Sequence, residues 1–225
     1  MIRCAVVLLL WLAGQAVAQE YVTIPDGSLS DEEFYRVVAC AAAPKQPCQK
    51  PNIKWPDDAA HDISLRIVSV APQYPNPIHT QIHNAVDHAI AQINAAGTIV
   101  QMRRAKPRET PDIAIHLVAQ NEGDVLRFAP DPDIAGLLIP SGYVHIWWNG
   151  NAEITRSIIL FSQDIETDDI YSVVLEEVLQ STGLVTDIDS DYYSDKSIFA
   201  EDGPNKIIHL LDQDLRAFQR HYNSN

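Results

Sequence analysis

The chain has 225 residues, enough to bury a substantial core and to form one or two domains. Its composition, 46% hydrophobic and 20% charged, excludes a collagen-like or wholly disordered chain. Lys and Arg number 16 against 30 Asp and Glu, a formal charge of -14, which argues against a nucleic-acid backbone or an anionic membrane surface as the main partner, because both need clustered positive charge.

Residues 1–18 read as a secretory signal peptide: Arg3 supplies positive charge, Ala5 to Gly14 is almost unbroken apolar sequence, and Ala16-Val17-Ala18 has the small-x-small pattern of a cleavage site. The mature chain, residues 19–225, is expected to begin near Gln19 as a single exported domain, periplasmic or extracellular. No second apolar stretch is long enough for a membrane span. Cys4 leaves with the signal. Cys40 and Cys48, separated by the turn-forming Pro44 and Pro47, are then expected to form a local disulfide in an oxidising compartment. A thiolate metal site would need a further His or Cys at finger-like spacing.

Ser30 to Glu33 is a capping box, and Phe34, Val37, Val38 and Ala41 follow at helical spacing. Alternation over Ile63 to Val70 predicts a strand, broken by Pro72, Pro75 and Pro77. From Pro77 one apolar stripe, Ile78, Ile82, Ala85, Val86, Ala89 and Ile93, predicts the longest helix, closed by Gly97. Strands are predicted over Thr98 to Arg104, Asp112 to Val118, Leu137 to Trp148 and Ile154 to Phe161. Helices follow over Asp168 to Thr182, with Thr167 as N-cap, and over Asp212 to Tyr222. Strands clustered between helices favour an α+β sheet with helices packed on it. The basic cluster Arg103, Arg104, Lys106 and Arg108 reads as a solvated loop.

The helix over 168–182 carries the chemistry. At about 100° per residue, Ile170, Val173, Val174 and Val178 share a face, Glu177 falls in its middle, and Glu176 and Gln180 lie on its flank. A carboxylate in such a face must be paired, metal-bound or protonated, because burying it alone costs several kcal/mol. Glu177 is therefore either a buried tether that accepts hydrogen bonds or a group linked to substrate or metal.

The stretch Leu175-Glu176-Glu177-Val178-Leu179-Gln180-Ser181-Thr182-Gly183-Leu184 resembles the active-site helix of the metzincin metallopeptidases, His-Glu-x-x-His-x-x-Gly-x-x-His. Asp112-Ile113-Ala114-Ile115 is similar to the Ala-Asp-Ile-x-Ile strand of that family. Ser197-Ile198-Phe199 is similar to its methionine turn, and Asp212 through Tyr222 to its terminal helix. A closer resemblance is to a bacterial secreted family called domain of unknown function 2927, through Glu176-Glu177-Val178-Leu179-Gln180-Ser181-Thr182-Gly183-Leu184, Ser197-Ile198-Phe199 and the Asp31 to Cys40 start. The resemblance implies a zincin-like mixed sheet with a long helix, a site helix and a C-terminal helix, its core spanning about residues 60–223. No activity comes with it.

In metzincins the histidines hold zinc and the Glu polarises a zinc-bound water. Here the resemblance leaves Glu177 at the general-base position and Gly183 at the turn glycine, while Glu176, Gln180 and Thr186 replace the histidines. Zinc prefers imidazole or thiolate, so no cofactor is expected. The alternatives are zinc, with Asp187 shifted in as a third ligand, and calcium at Asp187-x-Asp189-x-Asp191, where Tyr192 stands in place of the usual Gly and Ile198 in place of the closing acid. A solvated acidic loop is the plainer reading of that segment.

His79 and His83, one turn apart on the edge of the apolar stripe, make a poor chelate, and His145 reads as packed among aromatics. Trp147 and Trp148 point to opposite sides of their strand. No Gly-x-Ser-x-Gly elbow, P-loop or dinucleotide fingerprint occurs. The expectation is an exported, metzincin-like non-peptidase that binds a peptide or another exported protein in a cleft around Glu176, Glu177, Gln180, Gly183 and Asp187. The alternatives are a metal-dependent hydrolase with Glu177 as general base, and a structural protein in which the polar residues form an internal network.

Overall fold

A computed structural model describes residues 21–25, 27–201 and 206–223. The expected signal peptide lies outside the described residues. A short strand β1 (Tyr21–Thr23) precedes helix α1 (Asp31–Cys40), which starts at the expected capping box: the Ser30 hydroxyl accepts from the Glu33 N–H, and the Glu33 carboxylate accepts from the Ser30 N–H. The Cys40–Cys48 disulfide closes the loop that follows. A short helix α2 (Asp57–Ala60), unforeseen in the sequence, leads into β2 (Ile63–Val70), and α3 (Asn76–Asn94) begins behind Pro75.

The remaining elements are β3 (Met102–Arg104), β4 (Ile113–Leu117), β5 (Gly142–Trp148), β6 (Ile154–Phe161), α4 (Ile170–Gln180), β7 (Asp187–Asp189) and α5 (Asp212–Asn223). A five-stranded sheet has the order β3-β2-β4-β6-β5, with β5 antiparallel to β6 and the other pairs parallel. Among the described residues the fold is thus mixed α/β, with a mixed five-stranded sheet and five helices. Helices α3 and α4 pack on each other, and their apolar residues join Ile159 and Phe161 of β6 in the main core. Ile158 and Leu160, which alternation turns to the opposite face, join Leu126, Ile134 and Ile139 of the β4–β5 connection in a second cluster.

Four expectations need correction. The strand expected over Thr98 to Arg104 begins only at Met102, as β3. The site helix starts at Ile170, not Asp168: the Asp169 N–H closes a turn onto the Glu166 carbonyl, and Asp169, not Thr167, is the N-cap, without a side-chain bond. The strand expected over Leu137 to Trp148 begins at Gly142, because residues 137–139 pair instead with 124–126. The acidic segment from Asp187 is strand β7, not a loop. Its Ile188 is fully buried between β1 and the segment at Phe199 to Glu201, whose backbone it bonds.

Candidate functional site

Helix α4 is apolar on nearly every side, as a helix enclosed by its neighbours must be. Against that background Glu177 is 6% and Gln180 7% exposed, while Glu176 is partly buried. The trio singled out in the sequence therefore faces inward. The Gln180 amide N–H donates to Asp187 Oδ1 at 2.7 Å and to Glu176 Oε1 at 3.4 Å, joining α4 to β7.

Carboxyl groups crowd this region. Burial raises the Glu176 pKa well above the usual carboxylate range, and the negative fields of Asp187, Glu177, Glu201 and Asp214 raise it further. Asp214 of α5 is 1% exposed and its pKa is pushed up to about 7 by burial, against the stabilising N–H of Ile198 and hydroxyl of Ser197 that it accepts. Those two bonds fasten the Ser197-Ile198-Phe199 turn to α5.

Glu177 lies against β5. A β-carbon built on Gly142 would stand 2.7 Å from Glu177 Oε1 and 2.6 Å from Val173 Cγ1, so only the absence of a side chain lets the edge strand approach α4 this closely. Gly183 lies just beyond the Ser181 cap of α4: φ is +110°, and an added β-carbon would stand 2.0 Å from the Ile53 carbonyl oxygen. Gly183 thus packs against the Ile53 backbone and the ring of His221. The His221 Nε2–H donates to the Ile53 carbonyl, which leaves Nδ1 to accept from the Tyr35 hydroxyl. Burial pulls the His221 pKa down to about 4, so the ring is neutral.

Glu176, Gln180 and Thr186 make a poor set for zinc. The Gln180 amide spends its N–H groups on carboxylates, and the Thr186 hydroxyl is sealed inside without a hydrogen-bond partner among the described residues. Among the described residues no three His, Cys, Asp or Glu side chains are grouped so as to hold a metal ion. Asp189 accepts from the Thr23 hydroxyl at 2.7 Å, and Asp191 lies exposed beyond the strand. Among the histidines, His83 pairs with Asp87, while His145 packs edge-on to Trp147 at 4.3 Å and bonds the Tyr143 hydroxyl. Trp147 stacks under Arg156 and Trp148 is 49% exposed. Two members of the basic cluster are taken up by ion pairs, Arg103 with Asp62 and Glu109, and Arg104 with Asp87.

Sequence reasoning missed three contributors to this region. Gly142 read as punctuation within a strand beside Pro140 and Ser141, Asp214 only as part of the terminal helix, and Glu201 was not singled out. Asp214 had a signal, since it faces the same side of α5 as the buried Phe218 and His221. Gly142 had none, because its requirement arises between two elements far apart in sequence.

No protein-family model matches the chain, and no curated protein matches it either. Among the described residues no helix is long and apolar enough to cross a membrane.

Proposed function

We propose that this is an exported, zincin-like binding protein, akin to the family called domain of unknown function 2927 and descended from a metzincin whose zinc ligands have been replaced. Its site, where α4 packs on the edge strand β5, takes an extended peptide or a segment of another exported protein along that edge. The long helix α3, the enclosed helix α4 and the terminal helix α5 on a mixed sheet supply the parts that the resemblance implies, which supports the reading of kinship.

The observation that carries the functional reading is the bridge from Gln180 to both Glu176 and Asp187. An amide that links two carboxyl groups keeps a former ligand constellation as a hydrogen-bonded polar floor. Beside it, β5 is the last strand of the sheet among the described residues, and a strand in that position offers backbone groups to an incoming chain. Glu177, packed against Gly142 at the start of β5, then braces the edge that the bound segment joins.

The test is metal analysis and peptide cleavage on mature protein purified without chelator, with pull-down of exported proteins by the parent and by Glu177→Gln and Gln180→Leu. The proposal expects no stoichiometric metal, no cleavage, and retention of a partner that the variants lose. Stoichiometric zinc with cleavage abolished by Glu177→Gln would overturn it in favour of a hydrolase. Altered stability with unchanged partner retention would favour a purely structural trio.

A further inference from the structure

The connection between β4 and β5 folds on itself. Leu126 N–H donates to the Leu137 carbonyl and Ile139 N–H to the Asp124 carbonyl, forming a two-stranded antiparallel ribbon with Val125 opposite Leu138. Leu126 and Ile139 point down into the second apolar cluster on the sheet. Val125 and Leu138 are the non-hydrogen-bonded pair between those two bonds, so their side chains lie close together on the outer face, while their own N–H and C=O groups point away from the ribbon on both edges.

That outer face is apolar and open. Leu138 is 66% exposed, Val125 44%, and Phe128, in the loop that closes the ribbon, 86%. Isolated exposed hydrophobics need no explanation, but three within one 14-residue stretch, two of them paired across strands, form a patch. The surround is acidic: Glu122, Asp124 and Asp133 are exposed beside Arg127, while Asp131 is paired with Arg156, on a chain of net charge -14.

The ribbon is also fastened down. Arg156 of β6 pairs with Asp131 at 2.9 Å and stacks on Trp147, whose indole N–H donates to Asp133 at 2.8 Å. The patch is thus a fixed platform on the sheet face opposite α4.

We infer that the ribbon of residues 123–139 is a second docking surface, which takes an extended cationic segment of a partner protein with apolar residues alternating between lysines or arginines. The apolar residues cover Val125, Leu138 and Phe128, the cationic residues answer the acidic surround, and the outward backbone groups of Val125 or Leu138 pair with the incoming strand. This surface does not depend on the site at α4, and the two are separable by variants on opposite sheet faces.

The experiment measures fluorescence anisotropy of a short labelled peptide alternating Lys and Leu. Two analogues serve as controls, one with Ser for Leu and one with Glu for Lys. The parent is compared with Phe128→Ser/Leu138→Ser and with Val68→Ser/Val70→Ser, exposed residues on β2; all four side chains are exposed, and thermal melts verify folding. The parent and the β2 variant should bind the Lys/Leu peptide with salt-sensitive affinity, and the ribbon variant should lose at least about tenfold. Absence of binding, equal binding by the ribbon variant, or equal binding of either analogue overturns the inference. So does capture of phosphatidylcholine vesicles, or self-association, that the parent shows and the ribbon variant loses, since either assigns the patch to a different occupant.

Discussion

Gly142 and Glu177 come from different layers of the fold, and each is where it is because the other is: a single β-carbon on Gly142 would fall 2.7 Å from Glu177 Oε1. Gly142→Ala is therefore expected to push α4 from β5 and to cost about 1–3 kcal/mol, the usual range for overpacking. Urea unfolding checks this through a lowered midpoint at unchanged slope. A variant as stable as the parent would mean the two elements are not in contact.

Gly183→Ala should be worse. It places a side chain at φ +110° and drives it to 2.0 Å from the Ile53 backbone, which has no soft end to give way. A loss of about 3 kcal/mol or more is expected, with poor recovery of soluble protein. A thermal melt unchanged from the parent contradicts this.

His221 and Asp214 oppose each other over the same pH range. The folded-state pKa of His221 is depressed to about 4, so its contribution to stability is present above about 6.5 and is lost as pH falls through 4, by about 3 kcal/mol. The folded-state pKa of Asp214 is raised to about 7, so its contribution is present below about 4 and is lost as pH rises through 7, by about 4 kcal/mol. In the parent the two slopes largely cancel between pH 4 and 7, the window that these two values bound. Asp214→Asn should unmask acid destabilisation, and His221→Asn should unmask destabilisation on raising the pH. Denaturant midpoints taken across this range decide it; parallel curves for parent and both variants would contradict the assignment.

Reduction of Cys40–Cys48, or the double Ser variant, releases a short loop that the disulfide closes at the end of α1. A loss of about 2–3 kcal/mol is expected on chain-entropy grounds. Melts with and without reductant measure it, and the Ser variant should be insensitive to reductant.

What the sequence discloses is what local chemistry writes into it. The Ser30–Glu33 box, the alternation of β2, the stripe of α3 and the span of β6 each depend on residues within a few positions of one another, and each stands where the pattern puts it. The inward trio of α4 was legible too, because a carboxylate on an apolar face interrupts a periodic signal. Tertiary demands were not. Strands β1 and β7 have three residues each, too few for a period to register, and they exist because they meet each other. The neutral ring of His221 was equally silent, since its partners Ile53 and Tyr35 sit on other segments.

Thr23 on β1 bonds Asp189 on β7 across 166 positions of chain. During synthesis the first described strand emerges long before its partner exists, and Val22 and Ile24 must wait, uncovered, until most of the remaining chain has followed. Strand β1 can therefore be paired only after residues 187–189 have been made, which makes this two-stranded sheet a contact of high sequence separation that local structure cannot preform.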